Sequence, residues 1–570
     1  MSGHQSNLSD PKYGYDMVVA TTQEAINLTM KEYLDRAKLK ELVICYKWDD
    51  KLRKRVPVGY EELKQATGVD PFAIPNGSDE NESLKKLDDY GFQFAFRTKP
   101  GIPEKMDPLQ VPPVVTLDRK GDSVTYRLFF AEFNIVELAV HHRQIIWKNL
   151  TQPADNPWIL KFTVMLGREA DAGAFAKLKP ETQERLKKLN PDTAFSVEQL
   201  YIDLNNRQQQ ELPVIEGLEK GSDAYLALEQ DYINTYWDQL KGRVLLGQTV
   251  MPKAVKSAAP SLVPTAMDIE VSPYLDSGGQ PMPSERELYT LNYLVMSDNR
   301  RLPAPVPFGW NWIDEKEHTR YHGVMAVRRE RFVDFLNRVL SPALKKVCFD
   351  PWTQVTLRAA GFKGVEYLWG LPEIKQAPSY TPVTESSSRV LTFEHKGGPA
   401  VDNAGINGSS GWMSLDANTT SDVHLEGNLI KVVTTVRSHV TANYWSSNTF
   451  DSQWIDTQIT RWFQMSVDSR GEIVVTLSKD TPAIVDKSET KDLSVWGKIV
   501  AADIEAWRSS LAGTQSSLKG HLEDYEGNLA AMLKDAGAWV FPGGKTFLYN
   551  DVYCSDARDL VTHITYADPA

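Results

Sequence analysis

The stretch AWVFPGGKTFLY, from Ala538 to Tyr549, runs a glycine pair into lysine and threonine, the way a phosphate-cradling loop ends. Such a loop has the form G-x-x-x-x-G-K-[ST], because its first glycine lets backbone N–H groups wrap the phosphates. Counting back from Gly544, that place is held by Trp539, and an indole cannot supply the tight turn. The motif should also lead from a strand into a helix. Here FLYNDVYCSD follows, with Phe547, Tyr549 and Val552 among turn formers, and reads as another strand. The segment is expected to be a β-hairpin with Gly543-Gly544 at its tip, a pair able to supply φ > 0.

Other constellations fall short of a catalytic set. His318 and His322 stand at i, i+4, the spacing of metal ligands on a helix, but H-E-x-x-H is absent and no third ligand can be nominated. His141 and His142 adjoin a predicted strand, where adjacent rings point to opposite faces. Ser409-Ser410 in NGSSG lacks the spacing of a nucleophile elbow and reads as a loop. The acidic pairs Asp49-Asp50 and Asp314-Glu315 read as solvated charge. G-x-G-x-x-G and the EF-hand loop do not occur. Trp310 and Trp312 in FGWNW could line an apolar cavity or touch a membrane interface; packing in the core is the simpler reading. The sequence therefore nominates no catalytic residue, no metal ligand and no cofactor, and names no ligand-binding residue.

Composition narrows the classes. The chain has 570 residues, 63 basic and 75 acidic, for a formal charge of -12, which argues against a nucleic-acid partner. The short basic runs RRLPAP and VRRERF read as solvated surface charge. Cys45, Cys348 and Cys554 are too far apart for a C-x-x-C pair and odd in number, which favours a reducing compartment. The polar opening MSGHQSNLSDPKYG has no apolar core of a secretory signal, and no run approaches a membrane span. The expected location is the cytoplasm, or outside the cell by a leaderless route.

The elements that would position any site are amphipathic helices and long strands. TTQEAINLTMKEYLDRA has a capping box at Thr21 and Glu24, and Ile26, Met30, Tyr33, Leu34 and Ala37 lie along one helical face. RRERFVDFLNRVLSPALKKV carries a second apolar stripe; Pro342 should kink or restart it, with Ser341 as a new N-cap. READAGAFAKLKPETQERLKKL reads as a surface helix, and a last helix is expected from about Trp496 to Leu533. Strand patterns dominate elsewhere: ELVICYKW, the hairpin VVTLDRKGDSVTYRLFF, FNIVELAV, WILKFTVML, FSVEQLYIDL, LNYLVM, RVLTFEH, HLEGNLIKVVTTVRSHVTANYW, WIDTQITRWFQMSV-DSRG-EIVVTLS and DLVTHITY. Strands this long belong to curved, twisted sheets. The stretch from Pro252 to Glu285 is rich in Pro, Ser and Gly, which is linker chemistry.

Three segments carry a resemblance: YGYDMVVATTQEAIN, FGWNWIDEKEHTRYHGVMAVRRERFVDFLNRVLSP and AWVFPGGKTFLYNDVYCSDARDLVTHITY. Together they resemble the clostridial neurotoxin-cluster group of OrfX proteins and their forty-seven-kilodalton companion, within the tubular lipid-binding (TULIP) superfamily. Tyr15 departs from that group's opening, where a tryptophan stands. The resemblance implies an α+β fold of two TULIP-like modules, each a long curved antiparallel β-sheet wrapped around amphipathic helices. The expected division is an N-terminal module over 1–255, a connection over 256–285 and a C-terminal module over 286–570. It further implies non-enzymatic binding of a lipid or other apolar small molecule in an elongated groove, with peripheral membrane contact and no transmembrane segment. A toxin-complex component whose tube is filled by its own side chains, partnered by a protein toxin, is the second reading. A biosynthetic enzyme with an apolar cavity is the third.

Overall fold

The computed structural model describes residues 2–36, 41–79, 81–103, 106, 111–118, 123–141, 144–171, 195–211, 221–228, 243–252, 264–358, 364–384, 387–406, 409–444, 448–468, 473–478, 483–487 and 546–567. The fold is α+β, rich in antiparallel sheets.

A central sheet gathers strands from both ends of the chain. Its order is Pro264–Ser272, Thr290–Ser297, Met17–Thr22, Gly323–Val327, Leu560–Ala567 and Thr546–Tyr549, with Tyr553–Cys554 also on Leu560–Ala567. The sequence MVVATT explains its place. Strand side chains alternate between faces, so a run without polar interruption suits a strand covered on both sides. Met17 and Val19 enter one large apolar cluster, while Val18 and Ala20 enter a second, aromatic one. The neighbours sort in the same way: Met325 and Val327 on one side, Val324 and Ala326 on the other.

Two long sheets extend from this centre. One runs Arg243–Pro252, Phe195–Glu211, Leu160–Asp171, Ser123–Leu128, Val115–Leu117. The other runs Ser379–Pro382, Arg389–Ile406, Ser409–Glu426, Leu429–Tyr444, Asn448–Val467, Ile473–Leu477, with Ala483–Asp486 also on Asn448–Val467. Its longest strand has 20 residues, about 65 Å at roughly 3.3 Å per residue. A further five-stranded sheet (Lys54–Val58, Leu42–Asp49, Phe92–Pro100, Phe130–His141, Gln144–Thr151) packs on the short helices Tyr60–Thr67 and Glu82–Asp89 around buried Trp147. Neither helix is anticipated above; Gly68 at φ 67 and the Asn81 cap, which accepts from Leu84 N at 2.9 Å, are the local signals.

The N-terminal helix, Gln23–Arg36, buries Ile26, Met30 and Leu34 as its spacing predicts. It also completes a sheet edge. The Asn27 amide accepts from Val115 N and donates to Val115 O, both at 2.8 Å, and Gln23 Oε1 accepts from Leu117 N at 2.7 Å. These bonds satisfy backbone groups that an edge strand would leave open.

Several local expectations change. The helix cap is Thr22, whose Oγ1 accepts from Ala25 N at 3.2 Å; Thr21 remains in the strand and Glu24 turns to His318. The helix Arg329–Leu344 runs through Pro342, and Ser341 Oγ bonds Asn337 Oδ1 at 2.9 Å instead of capping. Pro342 lies in the last turn, so few helical bonds remain beyond the one its missing N–H forfeits. The run HLEGNLIKVV is two strands joined at Gly427-Asn428, with Gly427 at φ 61 and Glu426 opposite Leu429; a Gly-Asn pair is turn chemistry. Residues 168–171 extend the strand Leu160–Asp171 rather than opening a helix, and residues 264–272 of the Pro/Ser/Gly-rich stretch form a strand. The rest of that first helix pattern, the helix expected at 496–533 and the Gly543-Gly544 turn lie outside the described residues.

Candidate functional site

The three segments quoted above converge on the central sheet. Asp16 of YGYD is buried; its Oδ2 accepts from Ser297 N and Oγ, both at 2.8 Å, and its Oδ1 forms ion pairs with Arg331 Nε at 3.2 Å and with Arg300. Arg331 also holds Asp298 at 2.9 Å. The basic runs RRLPAP and VRRERF are therefore partly structural: they close around one buried carboxylate instead of lying solvated. Tyr13 OH accepts from Gly309 N at 2.9 Å, and Tyr15 OH donates to Ala304 O at 2.9 Å and accepts from Val306 N at 3.1 Å. These bonds pin the loop that carries Trp310 and Trp312, which pack with Phe308 in the aromatic cluster, as the packing reading expects. From the C-terminal segment, buried Asp559 accepts from Ser6 Oγ and Leu8 N at 2.7 Å and from Arg329 N at 3.0 Å. Burial outweighs these bonds and lifts its pKa to about 6.

Beside this junction lies a cleft of about 440 Å³, lined by His4, Glu317, Arg320, Tyr321, Asn428, Asp551, Tyr553 and His563 among others. His563 is buried on the strand Leu560–Ala567, with Nδ1 2.8 Å from Asp551 Oδ2 and Nε2 3.9 Å from Glu317 Oε2. Its ring stacks on Tyr321 at 4.2 Å between centroids. Burial alone would lower its pKa, but the two carboxylates prevail and raise it to about 9. His563 in turn holds Glu317 below the usual carboxylate range, and holds Asp551 low against its burial. Burial pushes the Tyr553 phenol up. At neutral pH the cluster is thus an imidazolium clamped between two carboxylates. A protonated, stacked imidazole in this position serves as a cross-link and cannot accept a proton as general base. Sequence separation hid this cluster: Glu317, Asp551 and His563 share no local motif.

The other flagged residues do not assemble. His318 Nδ1 pairs with Glu24 at 2.6 Å from a series of turns, not a helix. Among the described residues no cluster of three or more His, Cys, Asp or Glu could hold a metal. His141 ends a strand opposite Gln144, and His142 lies outside the described residues. Ser409 and Ser410 open a strand rather than forming a loop. Asp314 and Asp49 shape turns: Asp314 Oδ1 accepts from Lys316 N at 3.2 Å, and Asp49 Oδ1 accepts from Lys51 N at 2.8 Å and Leu52 N at 2.9 Å. All three cysteines are buried and free. Burial raises the Cys45 and Cys554 thiols to about 12 and Cys348 to about 11, the opposite of an activated thiolate.

The inner faces of the two long sheets are mainly apolar. Along Asn448–Val467, Ile455, Thr457, Ile459, Arg461, Phe463 and Met465 face inward, while Asp456, Gln458 and Thr460 take the other face, matching the alternation in the sequence. Leu391, Phe393, Met413, Leu415, Leu425, Ile430, Val432 and Val436 continue the inner face across the sheet. Val115, Leu117, Val124, Tyr126, Phe162 and Val164 form its counterpart on the other long sheet, in the same apolar cluster.

No protein-family model matches the sequence, and none of the curated proteins does. Among solved structures the chain is similar to P47 from Clostridium botulinum A2, at 9% identity and a TM-score of 0.38, covering 97% of each chain. It is similar to P47 of Clostridium botulinum E1, at 9% identity and a TM-score of 0.39, covering 96% of this chain and 98% of that one. It is also similar to a lipopolysaccharide binding protein, at 7% identity and a TM-score of 0.30, covering 97% of this chain and all of the other. Two of these are P47 proteins, the group the three sequence segments resemble. At such TM-scores the fold description stands on the strand topology itself. Among the described residues no helix is long and apolar enough to cross a membrane.

Proposed function

We propose that this protein is a non-enzymatic binder of a lipid or another apolar molecule, taken up along the inner faces of its long sheets in two modules, 1–255 and 286–570. One observation carries the reading: strands of 16 to 20 residues present an inner face built mainly of Val, Ile, Leu, Met and Phe, with Thr434, Ser438, Thr457 and Arg461 buried among them. Such a face binds through area, at roughly 25 cal/mol per Å² of apolar surface removed from water, and needs no catalytic group. The test is mass spectrometry of an organic extract of purified, folded protein. A stoichiometric apolar molecule is expected; a consistently empty extract from monodisperse protein overturns the reading.

A second reading has its own observation. Leu415, Leu425 and Ile430 are 0% exposed and Phe463 is 1% exposed, so the chain already covers this part of the face. A tube filled by its own side chains would carry no cargo and would act by binding a protein, such as a toxin partner. Empty extract together with a stable protein complex is its expected signature.

A further inference from the structure

The hairpin formed by Leu42–Asp49 and Lys54–Val58 ends in an unusual tip, KWDDKLRKR. On its first strand Leu42, Ile44 and Tyr46 face the core and are buried. Trp48 continues the same face beyond the point where the core stops, and is left 41% exposed. Leu52, in the turn, is 59% exposed. Both lie on one hairpin tip, and an apolar phase that covered them would remove that surface from water.

The tip is also basic in an acidic protein. Five of the residues from Lys47 to Arg55 are basic and two are acidic, against a chain total of -12. Lys47 is turned to Tyr90 and Arg55 to Asp223, so both are engaged. Lys51, Arg53 and Lys54 are exposed, and among the described residues no salt bridge holds them. One carboxylate, Asp49, is occupied by the Lys51 and Leu52 amides; the other, Asp50, is exposed. The tip is held in shape: Trp48 N donates to Gly91 O at 2.8 Å, and Arg53 adopts φ 48 in the turn. The backbone of the loop is therefore shaped before contact, which lowers the ordering cost of binding.

We infer that this hairpin tip docks the protein on an anionic lipid bilayer, with Trp48 and Leu52 entering the interface and Lys51, Arg53 and Lys54 facing the head groups. Tryptophan and leucine suit the boundary between head groups and acyl chains. Basic residues close to an anionic surface each strengthen binding about fivefold, the equivalent of about 1 kcal/mol. The inference deepens the lipid-binding reading by naming how the protein reaches its ligand, and it rests on that reading.

The test is co-sedimentation of the full chain with phosphatidylcholine vesicles, with and without phosphatidylserine. Three proteins are compared: the wild type, Lys51→Gln/Arg53→Gln/Lys54→Gln, and Trp48→Ser/Leu52→Ser. Wild type is expected to bind only phosphatidylserine vesicles and to be released by salt. The charge variant should lose about a hundredfold in affinity from three such contacts, and the apolar variant should lose binding too. Both should unfold in urea at the wild-type midpoint, since the changed side chains lie outside the core. Wild type that ignores the vesicles, or variants that bind equally well, overturns the inference. If only the charge variant fails, the partner is an acidic surface of another kind and the bilayer assignment is wrong. Extracts of the same three proteins separate the two readings. Cargo without vesicle binding refutes the tip and leaves the groove, whereas vesicle binding with empty extracts refutes the groove.

Discussion

His563 makes stability depend on pH in a direction that its burial alone would not give. Between Asp551 and Glu317 its pKa rises from 6.5 to about 9. Between these values the folded chain holds a proton that the unfolded chain has released, so stability falls as pH rises. The contribution is fully present below pH 6.5, where it amounts to about 3 kcal/mol, and it is lost through pH 9. About 2 kcal/mol should disappear between pH 6.5 and 8.5. Glu270 sits beside Asn292 and Ser272 in the central sheet, and burial raises its pKa to about 7 against their hydrogen bonds. It adds a loss of the same sign, mostly below pH 7. The assay is therefore a difference: urea unfolding of wild type and His563→Gln at pH 6.5 and 8.5. The variant should be less stable at pH 6.5 and should lose about 2 kcal/mol less over the interval. Equal pH slopes in the two proteins would refute the clamped-imidazolium reading.

Four further outcomes follow from the packing. Asp16→Ala should cost about 2–3 kcal/mol in urea unfolding, because it removes the buried acceptor of Ser297 N and Oγ and the ion-pair partner of Arg300, while Arg331 keeps Asp298; a loss below about 1 kcal/mol would mean that the cluster is solvated. Gly323→Ala should be as damaging, since its Cβ would fall well inside van der Waals contact with the Ala20 carbonyl across the sheet; expression of soluble, folded protein with unchanged thermal stability would contradict that geometry. Leu415→Ala, at a site 0% exposed, should cost about 2–5 kcal/mol, read as a lower urea midpoint. The three thiols should resist Ellman's reagent at pH 8 in the folded protein and react at once in denaturant.

Strands were the most legible part of the sequence. Period-two alternation in WIDTQITRWFQMSV maps onto buried and open faces residue by residue, because a sheet with one covered face leaves no other register. The N-terminal helix was equally clear from its stripe. Pairing partners were not legible: nothing local in MVVATT announces that it lies between Thr290–Ser297 and Gly323–Val327. The candidate site was hidden for the same reason, since Glu317, Asp551 and His563 meet only after the central sheet closes. The basic runs were misread because sequence shows charge but not the buried Asp16 that two of their arginines face. At the hairpin tip, Asp49-Asp50 reads as plain surface charge; only the structure shows that Asp49 shapes a turn that leaves Trp48 and Leu52 in solvent.

The placement of the three resembling segments bears on where a ligand should be sought. Their distinctive side chains, Tyr13, Tyr15, Asp16, Trp310, Trp312, Arg331 and Asp559, are spent on contacts with one another across the central sheet. Several of these bonds span hundreds of residues, such as Ser6 to Asp559 at 553 positions apart. Closing a loop of that length costs only slightly more than closing one half as long, because the entropy grows with the logarithm of length. A compact set of buried, charge-assisted bonds can therefore hold the chain's distant parts together, and losing one partner strands the others unpaired. Residues committed in this way cannot also rearrange around cargo without unfolding the joint. The long sheets carry fewer such bonds, among them Thr419 to Val347 O and Ser421 to Thr434, and most of their inner face is non-directional Val, Ile, Leu, Met and Phe surface. Recognition should thus vary with the sheets and the hairpin tip, while the central joint sets the fold.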